Sequence, residues 1–198
     1  MNTHQSTWKN NLLGTLEIAL LLPKGASRFS SDSRNFKLSF LIPILLLPLT
    51  LITVFYAHPA GALPDEATKI LTVIYTLRLF ISLGLFLSFV YLVAKTLDKV
   101  NEFKKLATAN NWLTLPAAVL MLPLLGLFMS GSHSWAEIYP MMVIVTLYSY
   151  AYTGFMIAKV MRVPYEFAAF MAIFGLMIHQ TSLGALKWAA VQTINLIA

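Results

Sequence analysis

Five long apolar runs, separated by short polar links, constrain this chain more than any other feature. They fall at about 37–57, 70–94, 112–129, 138–158 and 164–183. About 20 mostly apolar residues suffice for a helix to cross a bilayer. Backbone groups in hydrocarbon must pair within their own segment, and the alternating polar residues of a membrane barrel are missing, so the runs are expected to be helices. Charged residues make up 11% of the 198, against roughly a quarter in soluble domains, too few to cover a water-facing surface. The expected fold is an all-α membrane protein: a bundle of five transmembrane helices with an N-terminal amphipathic interfacial helix.

The interfacial helix is read from residues 9–22 (KNNLLGTLEIALLL). Leu12, Leu13, Leu16, Ala19 and Leu20 recur there at helical spacing, while Lys9, Asn10, Asn11, Thr15 and Glu17 fill much of the other face. Such a helix lies in the headgroup plane, with Trp8 at the depth indoles prefer, and Pro23 and Gly25 end it. The chain thus divides into a cytoplasmic segment (1–36), a transmembrane domain (37–183) and an interfacial C-terminal segment (184–198). Residues 58–68 read as a loop and 95–111 as a helical extension and loop. Pro43 and Pro48 in the first span, and Pro116 and Pro123 in the third, remove backbone donors and predict kinks.

Basic residues set the orientation. Lys9, Lys24, Arg28, Arg34, Lys37, the four lysines of 95–111, Lys159 and Arg162 put eleven on one side, against Lys69 and Lys187 on the other. The bias alternates through all five spans and predicts a cytoplasmic N-terminus and a periplasmic C-terminus. No cleavable leader is evident, so the first span is expected to direct insertion. The net charge of +6 is spread over the links, where it meets anionic lipid. Nucleic acid is therefore not an expected partner; membrane lipids, other membrane proteins or a second copy are. The absence of cysteine excludes thiolate sites and disulfides.

Three groups of residues are candidate sites. Arg78, Glu137 and His179 could share one level in the outer half of the membrane, where an unpaired Arg is costly; the alternative is three separate interfacial side chains, with Arg78 snorkelling. Tyr148 and Tyr152 share a helix face, as packing or as a polar path. Asn110, Asn111 and Trp112 mark the entry of the third span, Asn111 as a cap and Trp112 as an interfacial anchor. No HExxH, GxSxG or P-loop occurs. His4, His58, His133 and His179 are scattered, and Ser82 and Ser149 have no recognisable His partner. No catalytic residue, cofactor or metal is expected.

Three stretches carry a family resemblance: LEIALLLPKGASRFSSDSRNFKLSFLIPILLLPL, FKKLATANNWLTLPAAVLMLP and YSYAYTGFMIAKVMRVPYEFAAFMAIF. Together they resemble the YIP1 family of five-span membrane proteins, particularly its short bacterial members, over about residues 12–183. The resemblance implies a protein of the bacterial inner membrane; the lack of catalytic motifs and soluble domains and the basic cytoplasmic face add the expectation that it is non-enzymatic and organises lipid or protein partners. A small transporter or channel, or an accessory subunit of a larger membrane complex, are the alternatives. Eukaryotic members are linked to Rab GTPases through a long polar N-terminal domain that this sequence does not show, so that partner is not carried over.

Overall fold

The computed structural model describes residues 7–57 and 65–197. His4, His58 and most of the expected 58–68 loop lie outside the described residues. Those residues form helices and short links, with no strand among them. The helices are α1 (Thr7–Ala19), α2 (Gly25–Arg28), α3 (Ser33–Ser39), α4 (Leu41–Ala57), α5 (Asp65–Thr96), α6 (Val100–Trp112), α7 (Thr114–Met129), α8 (Trp135–Met161) and α9 (Tyr165–Ile197).

Five helical stretches are long and apolar enough to cross a membrane: Ser33–Tyr56, Lys69–Thr96, Val100–Met129, Trp135–Met161 and Tyr165–Gln192. In each, most of the apolar length is left uncovered by protein, as lipid-solvated helices require. The protein is a multi-pass membrane protein. The spans are longer than the apolar runs alone indicate, because polar residues continue a helix beyond the hydrocarbon wherever nothing breaks it. Residues 184–197, expected as an interfacial segment, continue α9. Residues 100–112, read partly as a loop, are helix α6.

The spans close into a ring. Helix α4 packs on α5, α5 on α9, α9 on α8, α8 on α7, and α7 back on α4. The α5–α9 pair is antiparallel and close: Gly175 faces Phe86, and an added Cβ would come within 2.8 Å of that ring. Across one end of the ring lie α1, α2, α3 and α6, with α6 touching α1, α3, α4, α5 and α8. Basic links gather at that end. There Lys99 Nζ donates to the carbonyls of Met161 (2.8 Å) and Arg162 (3.0 Å), so a cation satisfies the orphan carbonyls at the C-terminus of α8.

Two spans are broken at the same end. Phe40 interrupts α3–α4 and Leu113 interrupts α6–α7. Pro43 and Pro116 fall in the first turns of α4 and α7, where a missing N–H leaves no hydrogen bond unmade within the new helix but interrupts the bonding that continues from the preceding one. Phe40 and Leu113 keep right-handed helical dihedrals and each span runs on past them, so the two prolines interrupt the helical hydrogen bonding without ending the spans. Pro48, Pro123 and Pro140 are the prolines inside helices.

The N-terminal helix turns its polar face to protein instead of to water. Its buried residues are Asn11, Gly14, Thr15 and Ile18, while Leu12, Leu16 and Leu20 are exposed. Asn11 Nδ2 donates to Asn35 Oδ1 at 2.7 Å, and Thr15 bonds back to the Asn11 carbonyl. Gly14 and Gly25 let α1 and α2 approach so closely that a Cβ on Gly25 would lie 2.7 Å from the Gly14 carbonyl. Trp8 lies edge-on to Trp112, centroids 5.0 Å apart.

A forked ion pair closes this cap. Arg28 Nε and Nη2 donate to the two Glu17 oxygens at 2.7 and 2.6 Å. The hydrogen bond from Arg28 holds the Glu17 carboxyl below its ordinary range, desolvation opposes it, and the charges of Arg28 and Lys24 add to it. A depressed carboxyl pKa gives stabilisation that is present above the unfolded value, about 4.3, and lost as pH falls through the folded one. Hydrogen-exchange protection of residues 14–28, corrected for intrinsic rates, is expected to be flat near neutral pH and to fall under acid. The Glu17→Gln variant is expected to show the lower protection already at pH 7.

Candidate functional site

The ring encloses a partly open cavity of about 240 Å³. Every span lines it: Pro43 of α4, Ser82 and Phe86 of α5, Ala117 of α7, Tyr150 and Thr153 of α8, Gly175 and His179 of α9. Its floor, toward the capped end, is made by Asn110, Asn111, Leu113 and Thr114 at the α6–α7 break.

Asn111 holds the floor together. Ser39, at the end of α3, donates its hydroxyl proton to the Phe36 carbonyl at 2.7 Å. Its oxygen can then only accept, and Asn111 Nδ2 donates to it at 3.0 Å. This fixes which amide atom is nitrogen. The other one, Oδ1, is buried without a hydrogen-bond partner, as is the indole N–H of the neighbouring Trp112. Asn111 is not a helix cap and Trp112 is not an interfacial anchor. Both are buried inside the protein, Trp112 beneath Trp8, because the cap covers the end of α6 that was expected to face headgroups.

The wall toward the other end holds Ser82 and His179. His179 Nδ1 lies 3.4 Å from Ser82 Oγ, so Ser82 does have a histidine neighbour, supplied by a helix too remote in sequence for spacing to reveal. The Ser82 proton goes to the Arg78 carbonyl at 2.6 Å, which leaves its oxygen to accept from His179 Nδ1–H. In this arrangement the pair links α5 to α9, and Ser82 is not hydrogen-bonded as a nucleophile to a base.

Of the first candidate group, two members meet and one does not. Arg78 Nε reaches the His179 carbonyl at 3.4 Å, and its guanidinium lies over Tyr75 at 5.7 Å. No carboxylate among the described side chains pairs with it. Glu137 is exposed and stays on its own helix, accepting from Ser134 N (2.7 Å) and Ser134 Oγ (2.9 Å) in a capping box. A first-turn acid is drawn to its own helix N-terminus. Tyr148 and Tyr152 do share a face, rings edge-on at 5.6 Å. Tyr148 donates to the Ala19 carbonyl of the cap, while Tyr152 lines the cavity and donates to the Leu113 carbonyl at 3.2 Å. Among the described residues no three His, Asp or Glu side chains gather as metal ligands.

Members of all three sequence candidates therefore converge on one cavity, represented by His179, Asn110 with Asn111, and Tyr152. Its further polar lining comes from Ser82, Thr114, Ser149, Tyr150 and Thr153. No family model, no curated protein and no solved structure matches this chain. Asn111→Ala is expected to destabilise the fold by about 1–3 kcal/mol, since Ser39 Oγ would lose its donor in a buried site. Thermal unfolding in detergent measures it; an unchanged midpoint would show that the floor does not depend on this bond.

Proposed function

We propose that this chain is a non-enzymatic protein of the bacterial inner membrane, of the YIP1-like type, that organises lipid or protein partners around its intramembrane cavity. The observation that supports this reading most is the closed floor. The Asn111–Ser39 bond, Leu113 and the α1–α3 cap lie across one end of the ring, so the cavity suits holding a group better than passing it through. The basic residues gathered at that end favour its placement in the cytoplasm, against anionic headgroups. Leu12, Leu16 and Leu20 then face outward from α1, and the helix lies in the interface with its apolar face in lipid and its polar face on the protein.

A small transporter or channel is the second reading. It is favoured by five spans closing around a polar cavity with two broken helices at its floor, the setting in which irregular backbone is tolerated at membrane depth. Mild-detergent extraction followed by native mass spectrometry tests the first reading, which expects a specific lipid or protein to be retained; a bare monomer sinks it. Flux through protein-loaded liposomes tests the second, which expects solute movement that Asn111→Ala alters.

A further inference from the structure

The hydroxyl protons around the cavity are already committed. Ser82 donates to the Arg78 carbonyl, Thr114 to Asn111, Ser149 to Thr146, Thr153 to Ser149 and Tyr152 to Leu113. Serine and threonine in apolar helices commonly bond back in this way, and the consequence here is directional. Each oxygen keeps lone pairs while its proton points into backbone. Asn111 Oδ1 is buried and inaccessible from the cavity, so it is not among these acceptors. With Nδ1–H committed to Ser82, His179 Nε2 is a further acceptor. Asn110 and Tyr150 bring the few donors that remain. The cavity wall is largely apolar; its polar part offers mainly acceptors and includes no carboxylate, lysine or arginine.

Hydroxyl oxygens whose protons are committed but whose lone pairs are free favour an occupant that brings donors. A full charge would need a counter-charge in this setting. A cation finds no carboxylate there and has the Arg78 guanidinium just behind His179. An anion finds too few donors. The volume admits a group of several heavy atoms, not a whole lipid.

We infer that the cavity binds an uncharged polyol group, either as a free solute or as the hydroxyl-bearing headgroup of a lipid. The inference rests on the cavity being a ligand site, as the proposed function has it, but not on which partner is organised. The test uses the full chain in phosphatidylcholine nanodiscs, whose headgroup has no hydroxyl. Glycerol and myo-inositol are the free probes, read by saturation-transfer NMR. A glycosyl diacylglycerol is the lipid probe, read by native mass spectrometry. Ethylammonium and acetate are the charged controls. Ser149→Ala/Thr153→Val removes two cavity oxygens whose protons serve only their own helix, so the fold is spared. Thr146→Val removes the same chemistry from α8 away from the cavity lining.

Polyol binding is expected in the wild type and Thr146→Val, weakened about fivefold for each cavity hydroxyl removed in the double variant. Binding of the free probes alone assigns a solute, and of the glycolipid alone a headgroup. Equal polyol binding in all three proteins, no polyol binding, or tighter binding of either charged control overturns the inference. Polyol binding without any co-purifying lipid or protein would leave the inference standing and sink the partner-organising function.

Discussion

The bond between Asn111 and Ser39 is the interaction on which the interior depends. Two spans are interrupted at one level, each by a proline in the turn that follows, and each interruption frees backbone and polar side chains in a region where lipid offers them nothing. Joining the two breaks to each other places the irregular backbone inside the protein, roofed by the α1–α3 cap. The polar lining comes from Asn110, Asn111 and Thr114 beside one interruption and from Ser82, Ser149, Tyr150, Thr153 and His179 on the uninterrupted spans.

The N-terminal cap shows the same constraint acting outside the ring. An amphipathic helix normally buries its apolar stripe in protein. Helix α1 does the reverse, putting Asn11 and Thr15 inward and leucines outward. The choice is physical: the surface it covers carries Asn35, whose amide Asn11 pairs with, and the end of α6. Gly14 and Gly25 permit the close α1–α2 contact, and the forked Glu17–Arg28 pair fixes its angle.

The spans were legible because hydrophobic run length is a direct physical requirement of the bilayer, satisfied locally and independent of what each helix touches. Their ends were less legible. Run length reports where hydrocarbon stops, not where the helix does, so α6 and the last turns of α9 read as links or interface. The inward face of α1 was illegible for a related reason: periodicity shows that two faces differ, but not that the polar one meets protein instead of water. The Ser82–His179 contact could not be read at all, since nothing in the local pattern brings a residue of the second span to one of the fifth. Glu137 was grouped with Arg78 by membrane depth alone, and depth says nothing about azimuth around the bundle.

Arg78 is the remaining intramembrane charge, and its setting fits the rest. It lies about nine residues inside Lys69, some 13 Å along the helix at ~1.5 Å per residue, shallow enough for its long side chain to reach toward the interface. A helix carbonyl on one side and the Tyr75 ring on the other give it a neutral seat. A carboxylate there would have locked α5 to its neighbour through a buried ion pair, whose desolvation can outweigh its attraction. With dipoles instead, the positive charge is left uncancelled beside a cavity whose polar part offers mainly acceptors. The interior then has a direction: closed at the capped floor, bordered by a cation toward the other end, and uncharged in between.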